Sequence, residues 1–358
     1  MSDGVLHKAM APLVAPPVFD FWVQKINRTL SWERPLARVV GREVTARGTV
    51  TLTLKANRHF RGYAAGQHVP VSVEVDGVRL TRTYSPVTPW QGDRRLAITV
   101  REVDGGKVSA ALVHALSVGD VVELGPAFGD MVLPDGGASR PWLLVAGGSG
   151  ITPLMCLARA LLAENPSADI TLMMWARERA DLCFSGTFAD LQARHPNLRV
   201  LPVLTRESRC LPNELSGRPG AELFAAQVPD IATRAVRACG PWGFVETVSS
   251  LLAPIAADFD SECFTPPPRA TQAGEAVTVT LLRSERQVQV PAGAPLLESL
   301  EEQGVQPAYG CRMGVCNTCV CDKRAGTTEH VYNSEQHAEA GPVRLCVNAA
   351  RSDITLDL

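Results

Sequence analysis

Between residues 37 and 125 the chain is written in short runs rich in β-formers: ARVVGREV, TVTLTL, QHVPVSVEV, VRLTRTYS, LAITVRE and DVVEL. Such runs, broken by Gly, Asp and Pro turns, predict strands, and six of them in succession predict a small antiparallel barrel. KVSAALVHAL has helical spacing instead and interrupts the barrel before its last strand. After LPDGGASRP the pattern changes. WLLVA, ITLMMWA, LRVLPVLT and AVRAC are apolar runs, alternating with the helical segments LMCLARALLAE, TFADLQARH and VETVSSLLA. Buried strands that alternate with helices predict a parallel sheet flanked on both faces. Beyond the Pro-rich stretch CFTPPPRATQAGEA, which has linker composition, VTVTLL and RQVQV predict a hairpin, PLLESLEEQG a helix and DITLDL a last strand.

The chain of 358 residues exceeds what one core usually serves, and the pattern divides it. We expect an N-terminal extension over 1–36, a barrel over 37–138, an α/β nucleotide-binding domain over 139–262, a linker over 263–274 and an α+β module over 275–358. The extension is Pro-interrupted, and FDFWVQKINRTLSW within it predicts an amphipathic helix packed on the barrel, with a membrane or partner contact as the lesser alternative.

Composition restricts the class of partner. Hydrophobic content of 46% and charged content of 20% belong to a folded domain protein, and the formal net charge of −2 exerts no global pull toward nucleic acid or anionic membrane. Asp3 and the early prolines do not suit a signal peptide, and no apolar run reaches the length of a membrane span, so the cytoplasm is expected. In that reducing compartment clustered cysteines predict metal ligation or catalysis rather than disulfides.

GCRMGVCNTCVC packs four of the ten cysteines into one loop, spaced C-x4-C-x2-C, and the only later cysteine is Cys346 in VRLCVNAA. Zinc sites usually pair one C-x2-C with a second such pair, whereas three close thiolates with a distant fourth match a 2Fe-2S centre. Gly310 and Gly314 would let the loop backbone approach the sulfides. The segment resembles the plant-type ferredoxins, which implies a β-grasp fold and a 2Fe-2S cluster on Cys311, Cys316, Cys319 and Cys346, with Cys321 a bystander.

RTYS, Arg82 to Ser85, resembles the R-x-Y-S motif of ferredoxin-NADP reductase-like flavoproteins, and that likeness extends over 37–260. It implies a flavin held by Arg82, Thr83, Tyr84 and Ser85, with its phosphates at the glycine-rich helix entry of Gly106, Lys107, Val108 and Ser109. FAD is the flavin implied. GGSGITP follows a strand and opens a helix, as a dinucleotide loop must, and by resemblance Gly147 and Thr152 bind the nicotinamide nucleotide. By the same resemblance the CGP motif, Cys239, Gly240 and Pro241, lies beside the nicotinamide, which makes Ser85 and Cys239 the expected catalytic residues. Thr205 and Arg206 stand where NADPH-using reductases carry a Ser-Arg pair for the 2′-phosphate, and Arg177 is another cation at a strand end, so by resemblance NADPH is the expected donor.

These parts imply a reductase that passes electrons from NADPH through FAD and the 2Fe-2S cluster to a protein acceptor. The resemblance of the N-terminal and early barrel segments favours a membrane acyl-CoA desaturase as acceptor, with a Rieske or di-iron oxygenase as the alternative. From residue 275 onward 11 acidic and 7 basic residues suit a basic partner. None of the seven histidines is spaced as a metal pair, and each, His68 included, is expected in a surface or packing role.

Overall fold

The structure is a computed structural model that describes residues 15–134, 136–266, 268, 274–314 and 316–358. Half of the expected linker, 267 and 269–273, and the first 14 residues of the expected extension lie outside the described residues. The chain forms two compact units, one ending at Phe264 and the other beginning at Thr265.

The first unit opens with helix α1 (Pro16–Ile26), whose start is suited to Pro because the first helical N–H has no intrahelical partner. The barrel follows as β1 (Leu36–Ala46), β2 (Thr49–Ala56), β3 (Val69–Val75), β4 (Val78–Tyr84), β5 (Arg95–Arg101) and β6 (Val121–Leu124). They form one antiparallel sheet in the order β4-β3-β6-β1-β2-β5, and a bridge between Pro86 and Ile98 brings its two edges together. Leu52, Leu54, Val69, Val71 and Ile98 fill the interior. A short helix, α2 (Lys107–Ala110), continues as a π turn over Ala111–Ala115 and plugs the barrel with Leu112.

The remainder of this unit is the expected doubly covered sheet. Its strands are β7 (Trp142–Gly147), β8 (Ile170–Ala176), β9 (Leu198–Leu204), β10 (Leu215–Ser216), β11 (Ala235–Gly240) and β12 (Asp258–Cys263), all parallel, in the order β10-β9-β8-β7-β11-β12. β7, β8 and β11 are buried along their whole length, which is why they are apolar without alternation. Helices α3 (Ile151–Glu164) and α4 (Ser185–Arg194) cover one face, and α5 (Ala221–Gln227) and α6 (Trp242–Leu252) the other. Barrel and sheet share a core: Cys156 of α3 packs among barrel residues, and Arg159 donates to the Val87 carbonyl at 2.7 Å. Arg47, in the β1–β2 turn, reaches across to Glu178 and Asp181, both at 2.9 Å.

β10, α5 and β12 were not expected. β12 is DFDSEC, half-buried throughout, so no apolar run marks it. α5 buries only Phe224, too little for a period to show. Helix α1 also departs from expectation: it ends at Ile26 rather than reaching Trp32, because Asn27 turns extended, and most of its apolar side chains face outward.

The second unit has sheets ordered β14-β13-β20-β15-β18 and β17-β16-β19. Here β13 (Ala276–Leu281) pairs antiparallel with β14 (Arg286–Pro291) and parallel with β20 (Ile354–Leu356). Helix α7 (Leu296–Glu302) buries Leu296, Leu297 and Leu300 against Val279, Leu281 and Ile354. β15 (Val320–Ala325), β16 (Thr328–His330), β17 (Gln336–His337), β18 (Gly341–Arg344) and β19 (Asn348–Ala350) complete it, none of them marked by an apolar run.

Gly66, at φ +98°, sits where barrel and α3 meet, and a Cβ there would overlap the Met131 carbonyl. Gly66→Ala combines an unfavourable φ with overpacking and is expected to destabilise the first unit by roughly 1–3 kcal/mol. A thermal melt of the purified variant that matches wild type would contradict this.

Candidate functional site

The last residues of β4 line the barrel's edge. Arg82, Thr83 and Tyr84 are half-buried, paired in register with Val71, Pro70 and Val69 of β3. Burial raises the Tyr84 hydroxyl well above its ordinary range, with Arg82 opposing, so it remains a neutral donor. Helix α2 packs against β3 and β4, which brings Gly106–Ser109 to the same edge. Ser109 Oγ accepts from Val103 N at 3.2 Å and donates to the Gly106 carbonyl at 3.0 Å. The Ser109 side chain therefore shapes the turn, and the turn's anion-binding capacity lies in the first N–H groups of the helix. A Cβ on Gly106 would sit 2.5 Å from Ser109 Oγ, so the tight entry depends on glycine.

Ser85 is buried immediately past β4, and its Oγ lies 2.7 Å from His68 Nδ1. His68 Nε2 lies 3.0 Å from Glu262 Oε2, on β12. Cys239 of β11 is the register partner of Glu262, so the Ser85–His68–Glu262 line of side chains, which runs from barrel to sheet, ends on the strand paired beside Cys239. Burial, reinforced by the Glu262 charge, pushes the Cys239 thiol well above its usual pKa and keeps it neutral. His68 was expected only to pack or to face solvent, and Glu262 was not singled out. A polar strand ending in Ser-Glu-Cys carries no signal until its pairing with β11 is known.

Gly147, at the end of β7, and Gly240, at the end of β11, face one another where strand order reverses, the crevice in which open α/β sheets bind ligands. A Cβ on Gly240 would lie 3.1 Å from the Gly147 Cα, and one on Gly147 would lie 2.8 Å from the Phe244 ring. A Cβ on Gly150 would overlap the Cys239 carbonyl. Thr152, in the first turn of α3, donates to the Ser149 carbonyl at 3.1 Å, and Pro241 caps the start of α6. Backbone can thus approach a bound nucleotide from both loops.

Arg177 and Arg206 lie side by side past the ends of β8 and β9, joined by the Arg206 N–H to Arg177 carbonyl bond at 2.8 Å. Thr205 Oγ1 donates to the Ala176 carbonyl at 3.3 Å. Neighbouring Arg179 is neutralised by Glu214 at 2.6 Å and Glu207 at 3.6 Å. Among the described residues neither Arg177 nor Arg206 forms an ion pair, so both are open to an anion.

In the second unit the four expected thiols fall into two pairs. The Cys311 N–H donates to Cys316 Sγ at 3.2 Å, the Cys316 N–H to Cys311 Sγ at 3.4 Å, and Thr318 Oγ1 to Cys316 Sγ at 3.2 Å. Hydrogen bonding from Cys311 lowers the Cys316 thiol pKa, and the Cys346 thiol does the same for Cys319. Two thiol pairs, three members close in sequence and the fourth at Cys346, are the donor set that two irons with two thiolates each would use. The cradle is glycine-dependent: a Cβ on Gly310 would lie 2.8 Å from Cys316 Sγ, and Gly314 turns with φ +79° against Val347. Cys321, on β15, packs in the unit's apolar core with its thiol toward the Asp322 carbonyl at 3.7 Å.

Comparison with known proteins agrees with each part. The oxidoreductase FAD-binding domain model matches residues 37–132, the oxidoreductase NAD-binding domain model 144–250 and the 2Fe-2S iron-sulfur cluster binding domain model 279–351. An NADPH oxidoreductase of Mycobacterium tuberculosis is 31% identical over 360 residues, 99% of this chain and 92% of its own. The ferredoxin reductase component of a 3-ketosteroid-9-alpha-monooxygenase from the same species is 28% identical over 310 residues, covering 81% of this chain and 84% of its own. Phthalate dioxygenase reductase shares the fold, with a TM-score of 0.61 at 24% identity over 90% of this chain and 97% of its own. The chain therefore belongs to the NAD(P)H-dependent oxidoreductases that join an FAD-binding domain, a NAD-binding domain and a 2Fe-2S domain in one polypeptide.

Proposed function

We propose that this chain is the NADPH-dependent reductase component of an oxygenase system, delivering electrons one at a time to a separate oxygenase. The observation that carries the reading is the combination of the Ser85–His68–Glu262 chain beside Cys239 with two thiol pairs in the second unit. The name of the 3-ketosteroid monooxygenase relative supports an oxygenase as acceptor. The desaturase expected from the N-terminal segments has no counterpart among the relatives described, so the oxygenase alternative becomes the main reading.

Bound FAD supplies the step between a two-electron donor and a one-electron cluster. The chain's own residues bind and orient. Arg82, with Thr83 and Tyr84, holds the flavin from the strand edge, and the N–H groups at Gly106, Lys107, Val108 and Ser109 hold its phosphates. Ser85 Oγ would face the reacting edge of the ring, and His68, beside Glu262, would hold or move the proton at that oxygen. Gly147, Thr152, Gly240 and Pro241 shape the nicotinamide crevice. Cys239, neutral and buried, gives it an uncharged wall. Arg177 and Arg206, with Thr205, bind the 2′-phosphate that distinguishes NADPH from NADH. Cys311, Cys316, Cys319 and Cys346 hold the cluster.

Stopped-flow reduction with NADPH beside NADH tests donor and class together, since flavin absorbance untouched by either would reject the enzyme reading. Replacing Arg177 or Arg206 by Ala removes a charge-assisted contact of about 1.5–3 kcal/mol and should lower kcat/KM for NADPH about 10- to 100-fold while sparing NADH. Equal losses with both donors would move the 2′-phosphate elsewhere. Ser85→Ala and His68→Gln should each slow flavin reduction, by about 100-fold for a proton-handling role, with FAD content unchanged; wild-type rates would remove the relay from the mechanism. Cys346→Ser should abolish or distort the cluster's visible absorption and Cys321→Ser should leave it intact, and the reverse result would reassign the fourth ligand.

A further inference from the structure

Helix α1 holds most of its apolar surface on the side away from the protein. At 100° per residue, Phe21, Lys25, Val18, Trp22 and Ile26 occupy one contiguous arc. The apolar members are open to solvent: Val18 is 53% exposed, Phe21 58%, Trp22 65% and Ile26 86%, and Leu30, just beyond the helix, is 44% exposed. The inward side is fixed largely by polar contacts. Asp20 accepts from Ser31 Oγ at 3.0 Å and from the Trp32 N–H at 2.6 Å, and Phe19 meets the Trp32 ring edge-on with centroids 5.0 Å apart.

Scattered exposed apolar residues are ordinary, but a contiguous patch with two neighbouring aromatic rings marks a contact surface. Its chemistry favours one kind of partner. Phe21 and Trp22 stand with ring centroids 5.3 Å apart. The only charge within the arc is Lys25, whose ammonium stands over the Phe21 ring, 4.8 Å from its centroid, so the cation sits directly against the apolar surface. Arg28, 61% exposed, adds a second cation and also meets Asp120 at 3.5 Å. Asp20, the one acidic residue of the helix, is turned inward. A convex apolar ridge with Trp and Phe, bordered by cations, complements the interface of an anionic bilayer.

We propose that α1 is a peripheral membrane-docking element. Val18, Phe21, Trp22 and Ile26 enter the boundary between headgroups and acyl chains, and Lys25 and Arg28 meet the lipid phosphates. No helix among the described residues is long and apolar enough to cross a membrane, so this docking is reversible.

The test is flotation of the full-length holoprotein with phosphatidylcholine vesicles and with vesicles containing roughly three-tenths phosphatidylglycerol, at low and high salt. We expect capture by the anionic vesicles, weaker capture by the neutral ones, and partial release by salt. Trp22→Ser combined with Ile26→Ser should reduce capture about tenfold or more, and Lys25→Glu should weaken it on anionic vesicles only. Because these side chains are exposed, both variants should retain flavin and cluster absorbance and NADPH-driven ferricyanide reduction. Three results would overturn the proposal: no capture by either vesicle, capture unchanged in the double variant, or a wild-type dimer that the double variant dissociates, which would assign the ridge to a second copy of the chain.

Discussion

At the carboxyl ends of β7 and β11 the backbone runs so close that no side chain fits between the two loops, and the nucleotide half of the molecule is organised by that exclusion. Gly147, Gly150 and Gly240 each occupy a position where a Cβ would meet backbone or the Phe244 ring. The main chain itself therefore becomes the wall of the crevice. The same closeness fixes Cys239, because its carbonyl lies against Gly150 while its neighbours in register are Ala146 and Glu262. Buried strands on either side leave the loops little freedom to open.

A second constraint joins this crevice to the barrel. The Ser85–His68–Glu262 chain takes its three members from the end of β4, the approach to β3 and the edge strand β12, so it exists only when barrel and sheet are docked. Docking is secured away from the site by Arg159 on the Val87 carbonyl and by Arg47 on Glu178 and Asp181. Arg47 is exposed, and its ion pairs contribute modestly; the Gly66 contact and the burial of Cys156 among barrel residues carry more. Redox chemistry at a ring edge needs atoms placed to within a fraction of an ångström, and this shared core supplies that rigidity.

Much of this was legible before any coordinate was known, for physical reasons. Strands buried on both faces are continuous apolar runs, so β7, β8 and β11 announce themselves, and the glycine loops lie next to them. The four thiols could be singled out as candidate ligands because cluster ligation needs particular spacing. His68 and Glu262 were not, since a contact between side chains 194 positions apart in sequence depends on strand order, which hydropathy does not encode. Helix α1 was misread for a related reason: period reports that an apolar stripe exists, not which way it faces. Its inward side is fixed by Asp20, a polar residue that pattern reading assigns to solvent.

In the second unit, β20 lies between β13 and β15, pairing parallel with the first and antiparallel with the second. The strand made last thus occupies the middle of the sheet, and the backbone of Leu358 also accepts from Arg283 at 2.6 Å. The sheet cannot close while the chain is still being synthesised through Ile354–Leu356. Cys346 precedes that strand by only a few residues, so all four thiols are present before the scaffold that will shield them. The strand that completes the sheet therefore follows all four thiols in sequence, and Ile354 and Leu356 share one apolar core with Cys319 and Cys346, so a change that weakens β20 would loosen the scaffold around them from its centre.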